Sequence, residues 1–413
     1  LQGTQIHHNG QIVAITVATT LEQAQEAAEL VRVTYAPETP KAVIADALAE
    51  VYLPANQEVI VGDPTAGLAA ADVTVKQNYS SPPHHHNPIE PHATVAQWDG
   101  DRLTVHETSQ AVVNAQRAFA TTLGIPQTNV RVLAPYLGGG FGCKSPVWPH
   151  SLLNAAIARQ LGRPAKMPLN QVKVELADTN FPPASFSAGS ATIASVTGAV
   201  NAAALAVRTA VVQLAVSNPA SPLHGLPAEQ IITQHGYLFS PDRSRRESYR
   251  TVMARHGAPV ENTSSMTNAR GYSTGAVFVE VRVDPRYGRV RVTRGVGAYD
   301  AGRVLNRQTA RSQVIGGFTW GIGNALMEHT VLDRRTARVV NPNLSAYLLA
   351  VNADVPDIQA IFVDKPDPVS TALGARGFGE TPLTGVPAAI GNAIFHATGR
   401  RLRDLPFTQD KLL

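Results

Sequence analysis

The sequence predicts a mixed helix-and-strand protein built from two or three domains. The chain has 413 residues, and a domain typically takes about 150. Stretches in which apolar and polar residues alternate recur between stretches with helical spacing. Thirty-two glycines and 29 prolines divide these stretches with turns and leave little room for long helices.

In chain order, residues 11–18 read as a strand. A helix follows over 21–31, with Thr20 as its N-cap and Glu22 and Glu26 in its early turns, and 31–35 alternates again. Residues 36–66 form a proline-rich linker with a short helix at 43–50. Strands are expected at 71–79, 93–98, 103–108, 129–134, 172–179 and 358–363, and helices at 112–123, 149–160, 199–216 and 386–399. Residues 276–283 and 289–294 form a hairpin around Asp284-Pro-Arg-Tyr-Gly288. A helix over 307–328 carries Gly316, Gly317, Gly321 and Gly323. Each glycine costs a helix about 1 kcal/mol against alanine, so close packing or ligand approach is expected there.

Composition excludes several function classes. The formal charge of +4 is small for this length and no dense basic run occurs, which disfavours nucleic acid. The most basic stretch, 243–250, contains Glu247 and reads as solvated surface. The single cysteine, Cys143, allows no internal disulfide and no cysteine-built zinc or iron–sulfur site. No apolar run reaches membrane-spanning length, because Ala, Thr, Ser and Gln dilute even 191–216. The opening Leu1-Gln-Gly-Thr-Gln carries neither initiator methionine nor signal peptide, and reads as a start within a domain.

Five stretches carry candidate chemistry. In Leu373-Gly-Ala-Arg-Gly-Phe-Gly-Glu380-Thr-Pro382 three glycines surround one carboxylate ahead of an apolar helix. Such a loop can press Glu380 against a bulky ligand, and desolvation there would raise its pKa toward that of a working base. Taken alone, a glycine-rich turn with a solvated glutamate is the simpler reading. His84-His-His-Asn-Pro-Ile-Glu-Pro-His92 invites a metal, but its two prolines keep it extended and send neighbouring side chains opposite ways. A rigid turn presenting Ile89 and Glu90 at a pocket edge fits better. Gln110 stands at a strand-to-helix junction, as a ligand-binding amide or an ordinary cap. Gly138-Gly-Gly-Phe-Gly-Cys-Lys-Ser145 is not a phosphate-binding P-loop, because Cys143 stands where glycine must precede the lysine. Its backbone can lie flat against something large, with Phe141 placed to stack. Ser187, Ser190, Thr192, Ser195 and Thr197 precede a helix, as an anion site or a solvated serine loop.

Taken together, these stretches resemble the molybdenum-binding large subunit of the xanthine dehydrogenase and aldehyde oxidase family, and most closely its bacterial multi-subunit aldehyde-oxidising branch. The matching pieces are His86-Asn-Pro-Ile-Glu-Pro-His-Ala-Thr94, Ser109-Gln110, Gly138-Gly-Gly-Phe-Gly142, Asp178-Thr-Asn-Phe-Pro-Pro183, Gly189-Ser190, Asp300-Ala-Gly-Arg-Val-Leu-Asn306, Gln313 with Gly316-Gly317, and Gly377-Phe-Gly-Glu380. They occur in the family's order over most of the chain, and the ordered set is far more specific than any one of them.

The resemblance implies an α+β fold with two molybdenum-cofactor-binding domains and a partial remnant of a small N-terminal hammerhead-type domain. The remnant and linker would occupy residues 1–50, a shortened first molybdopterin-binding domain 51–171, and the second 172–413. It implies Glu380 as catalytic base. Gln110, Gly140, Phe141, Gly142, Ser190, Thr192, Gln313 and Gly379 would bind cofactor, with Ile89 and Ser145 in the substrate pocket. Molybdenum would be held by the pterin dithiolene, with no protein ligand, and the pterin would be the cytosine dinucleotide form. Substrates would be aldehydes or N-heterocycles. Electrons would pass to an iron–sulfur small subunit carrying 2Fe-2S and a medium subunit carrying FAD, in the cytoplasm or periplasm. A cofactor-free structural or assembly paralogue is the rival.

The chain also departs from the family pattern. The first half of the N-terminal domain and a long segment between Gln171 and Val172 are missing. Ala191 replaces the usual arginine, and Ser145 stands where some purine-oxidising members are acidic. Loops 138–142, 187–192 and 377–380 should nevertheless meet at one cavity, and the Gln171–Val172 join should be strained, exposed or broken.

Overall fold

The computed structural model describes residues 3–47, 60–161, 177–234, 236–266 and 271–413. The Gln171–Val172 join lies outside these residues.

Three short helices come first: α1 (Leu21–Leu30), α2 (Ile44–Ala47) and α3 (Pro64–Ala69). Thr20 caps α1, its hydroxyl accepting the Gln23 N–H at 3.3 Å. The strands expected at 11–18, 31–35 and 71–79 do not form ladders. Their alternation is present, but no neighbouring strand covers it, and Val73, Val75 and Tyr79 are exposed. A strand exists only by pairing, so the pattern by itself is insufficient.

A first layered unit follows. β1 (Thr94–Asp99) pairs antiparallel with β2 (Arg102–Glu107), α4 (Val112–Leu123) crosses over, and β3 (Val130–Leu133) pairs parallel to β2. Gly124 ends α4 in the left-handed conformation, a common helix stop. α5 (Pro149–Leu161) packs on the same sheet. Leu103, Val105, Phe119, Val130, Val132 and Ala155 make the core.

A second unit gathers around α6 (Thr192–Ser217), with the meander β4 (Ile232–Gln234), β5 (Tyr237–Phe239) and β6 (Arg246–Ser248) and the helix α7 (Tyr249–His256). Sequence reasoning missed this meander and α7. Glu247, expected on a solvated basic surface, is buried and pairs with Arg255 at 2.5 Å while accepting the Ser221 hydroxyl at 2.7 Å. The expectation about apolar runs is also corrected. Among the described residues α6 is one helix long and apolar enough to cross a membrane by length and composition, with mean hydropathy 1.6 and 22% of that window buried. Its C-terminal half packs Val211, Val212 and Ala215 into a core with Leu223, Leu238 and Val252.

The third unit is the largest core. β7 (Thr274–Asp284) and β8 (Arg289–Asp300) form the expected hairpin, α8 (Arg307–Leu326) follows, and after the short pair β9 (Leu332–Asp333) and β10 (Arg338–Val339) the strand β11 (Asp357–Phe362) adds parallel to β8. α9 (Thr381–Thr384) and α10 (Val386–Thr398) close the chain's last layer. Val314, Phe318 and Ile322 of α8 meet Val386, Ile390 and Ile394 of α10 over Val292, Tyr299 and Ile358.

Candidate functional site

The loops at 138–142, 187–192 and 377–380 converge on one cleft of about 700 Å³. Its wall includes Gln110, Phe141, Ser190, Thr192, Gln313, Gly379 and Glu380. The first unit thus supplies one side and the third unit, with the start of α6, the other.

Gln110 sits where β2 gives way to α4, and its amide joins two loops. Oε1 accepts the Gly142 N–H at 3.0 Å, and Nε2 donates to the Ser187 carbonyl at 3.0 Å. One Nε2 proton remains for a ligand. Gly140 makes this possible, because a Cβ there would lie 2.2 Å from the Gln110 Oε1. Phe141 adopts φ 53, a left-handed angle that non-glycine residues seldom take outside functional sites. Its ring projects into the cleft, edge-on to Trp320 at 6.0 Å between centroids. Gly142 turns the backbone under it with φ 99.

α6 begins at Thr192, seven residues earlier than expected, so the serine loop is its true N-terminus. Ser187 and Thr192 hydroxyls lie 2.9 Å apart. Ser190, at φ 57, faces Glu380. Its Oγ accepts the Glu380 N–H at 2.7 Å and donates to the carboxylate at 3.2 Å. Gly377 is pressed against the Ser190 carbonyl, where a Cβ would come within 2.4 Å. Gln313 projects from α8 beside Gly379. The expectation that the loop desolvates Glu380 is not met, since the residue is exposed to the cleft.

Ile89 and Ser145 are not brought into this lining. Ile89 is 88% exposed, and the Ser145 N–H is turned back onto the Gly142 carbonyl at 3.1 Å. The four histidines of the 84–92 segment find separate neighbours. His84 meets the Asn324 amide at 3.2 Å, His85 the Tyr347 ring, His86 approaches Gly142, and His92 lies by the Cys143 carbonyl.

Sequence reasoning missed the buried acid in the cleft wall. Glu328, just past the end of α8, accepts the Tyr347 hydroxyl at 3.0 Å, and that hydroxyl accepts the His85 N–H at 3.2 Å. Burial pushes the Glu328 carboxyl above its ordinary range and the Tyr347 phenol up to about 12. An acid raised in the folded state binds more protons there than in the unfolded chain. Glu328 therefore draws stability down as pH rises from the unfolded value of 4.5 through the raised folded one. Glu328→Gln keeps an acceptor for Tyr347 and removes the charge. The variant should melt higher than wild type at pH 8, with the gap closing toward pH 4. Parallel melting curves across that range would refute this assignment.

Comparison with known proteins agrees with the geometry. Residues 48–188 and 150–356 match two family models, each described as a molybdopterin cofactor-binding domain. The chain belongs to the large, molybdopterin-binding subunits of the xanthine dehydrogenase family. It is similar to the aldehyde oxidoreductase molybdenum-binding subunit PaoC of Escherichia coli K12, 25% identical over 636 positions that cover 100% of this chain and 86% of the relative. Because the chain has 413 residues, a large block of that alignment has no counterpart here. A xanthine dehydrogenase molybdenum-binding subunit of E. coli O157:H7 is 36% identical over 158 residues, 38% of this chain and 21% of the relative. Among solved structures, quinoline 2-oxidoreductase of Pseudomonas putida 86 aligns with TM-score 0.74 at 16% identity, over 96% of this chain and 84% of that one. Aldehyde oxidoreductase of Desulfovibrio gigas aligns at 0.65 and 18%, over 96% and 68%. These two show a shared fold. The family member is a molybdenum hydroxylase, an oxidoreductase that uses molybdenum on molybdopterin.

The cleft's residues fit that group. Glycines 140 and 377 leave no room for a Cβ, left-handed residues face the opening at Phe141 and Ser190, and amides and hydroxyls line it with two carboxyl groups, Glu328 and Glu380. A flat, oxygen- and nitrogen-rich molecule needs such a lining.

Proposed function

We propose that this chain oxidises aldehydes to carboxylic acids at the cleft between its first and third units, with Glu380 as general base. The observation that carries this reading is the gathering of Glu380, Gln110, Phe141, Ser190, Thr192 and Gln313, distant in sequence, on one cavity. The bound group supplies the two-electron oxidation of the substrate carbon. The protein's part is to hold, orient and move a proton. Gln110 offers its remaining amide proton to the metal end, and Phe141 with Gly140 and Gly142 lies flat against it. Gln313 and Gly379 contact the pterin, while Ser190 and Thr192 at the start of α6 take the phosphate end, where helix N–H groups favour negative charge. Glu380, exposed to the cleft and steered by Ser190, accepts the proton that oxidation releases. N-heterocycles are the second substrate class, as the likeness to a protein named quinoline 2-oxidoreductase supports for the fold.

In this reading 51–171 and 172–413 are the two cofactor-binding domains, and 1–50 is the remnant of a hammerhead-type domain. The pterin is the cytosine dinucleotide form. Electrons leave through an iron–sulfur subunit with 2Fe-2S and an FAD subunit, in the cytoplasm or periplasm. The relative's name as a molybdenum-binding subunit supports partner chains. Elemental analysis of the purified protein tests the proposal, with near-stoichiometric molybdenum expected. A folded, molybdenum-free protein that takes up none on reconstitution would leave a cofactor-free paralogue.

A further inference from the structure

Lys144 is the molecule's most completely buried cation among the described residues, with 0% of its side chain exposed. Its Nζ donates to the Glu90 carboxylate at 2.6 Å and to the Glu90 carbonyl at 2.9 Å. The same carboxylate oxygen accepts the Gly138 N–H at 2.8 Å, and the Glu90 N–H donates back to the Gly138 carbonyl at 3.3 Å. On the other side, the Lys144 carbonyl accepts the Gln110 N–H at 2.9 Å. A Cβ on Gly138 would lie 2.5 Å from the Glu90 Cβ, so the two segments touch with nothing between them. Glu90 therefore does not present itself at a pocket edge. Its side chain, still 32% exposed, turns its carboxylate onto Lys144 and Gly138 and ties the 84–92 segment to both ends of the glycine loop that carries Phe141.

We propose that Glu90 and Lys144 are positioning residues for the cofactor-contacting loop, fixing residues 138–144 so that the Gln110 amide and the Phe141 backbone stand at the right separation for the bound group. The inference rests on the molybdenum reading for what is being positioned, though the latch itself is a property of the chain alone. The physical case has three parts. A buried cation persists only with a charged, hydrogen-bonded partner, and Glu90 is the partner. Hydrogen bonds from Lys144 and Gly138 hold the Glu90 carboxyl below its ordinary range, so it stays a carboxylate at neutral pH. Finally, a loop of consecutive glycines has wide backbone freedom, and its observed shape must be imposed by contacts. The latch bonds at Gly138, Gln110 and Lys144 are among those contacts, with the Gln110 amide to Gly142 and the Trp148 indole to the Cys143 carbonyl.

The test must separate positioning from mere stability. Glu90→Gln strands a buried charge, so loss of folding alone would be uninformative. The double variant Glu90→Gln with Lys144→Met removes both charges and keeps side chains of similar length. It should regain wild-type melting behaviour while bound molybdenum, or kcat per bound molybdenum at unchanged KM, stays down about 10–100-fold, the size seen when supporting contacts around a metal group are lost. Glu90→Asp, which keeps the charge, should recover part of that loss. Amide hydrogen exchange on cofactor-free protein gives a readout independent of catalysis. Protection at Gly138 and Gln110 should fall in the double variant while that at Phe119 and Val132, in the core of the same unit, is kept. If the double variant restores both melting and molybdenum retention, the pair is only structural and the proposal is overturned. Unchanged exchange at Gly138 and Gln110 would overturn it equally. A wild type without molybdenum but with latch-dependent exchange would count against the functional reading instead.

Discussion

Glu380→Gln lowers turnover by at least about 10²–10⁴-fold, the usual worth of a positioned general base, with bound molybdenum unchanged. The substitution keeps the size of the side chain and an oxygen that can accept the Ser190 hydroxyl, now 3.2 Å from the carboxylate. The backbone N–H that Ser190 accepts at 2.7 Å is untouched, so the loop should hold its shape. Only the capacity to take a proton is lost. The residue follows Gly379 and precedes α9, on an exposed turn where an amide carries no folding penalty. Aldehyde oxidation with an artificial electron acceptor, normalised to molybdenum, is the measurement. Near-equal rates for variant and wild type would take Glu380 out of the chemistry. A matching drop in molybdenum would make it a cofactor ligand.

Much of this site was legible because its signals are local. A glycine next to a carboxylate, an amide at the end of a strand and hydroxyls ahead of a helix each announce backbone groups or angles that the neighbouring residues dictate. The hairpin β7–β8, the helix α4 and the start of α10 were legible for the same reason, since period and turn chemistry lie within the segment. What was not legible depends on partners far away in the chain. Residues 73, 75 and 79 have the alternation of a strand but stay exposed, because pairing is decided by a neighbour that period cannot name. Glu247 read as solvated because its partners, Arg255 and Ser221, come from a helix and a loop that the sequence did not announce. Glu328 gave no signal either. Its burial follows from Tyr347 and the 84–87 segment closing over the end of α8. The start of α6 was placed late because Thr192 to Ser195 looks like loop composition. Their hydroxyls bond locally, as with Ser195 to the Ala191 carbonyl at 2.8 Å, and so are compatible with a first helical turn.

Gly317→Ala should unfold the protein more easily even though alanine is the better helix former. In α8 two adjacent glycines face different surroundings. Gly316 has nothing within 4 Å of where a Cβ would stand, and it lines the cleft. A Cβ on Gly317 would lie 2.6 Å from the Pro382 Cβ, 2.9 Å from the Leu383 nitrogen and 3.0 Å from the Pro382 carbonyl carbon. Two of these three are backbone atoms of α9, and Pro382 is buried, so neither neighbour can turn aside as a flexible side chain would. Replacing glycine in a helix gains about 1 kcal/mol, whereas overpacking a fixed contact costs typically about 1–3 kcal/mol. Sterics should win at 317 and propensity at 316. Gly317→Ala should therefore lose up to about 2 kcal/mol in denaturant unfolding, and because α9 directly follows Glu380 it should also slow turnover in the protein that remains folded. Gly316→Ala should be as stable as wild type or more so, yet bind less molybdenum, since its methyl group would occupy the cleft. Unfolding midpoints and molybdenum content for the two variants decide the matter. A Gly317→Ala protein as stable as wild type would mean that α8 and α9 are not in the close contact on which the position of Glu380 depends.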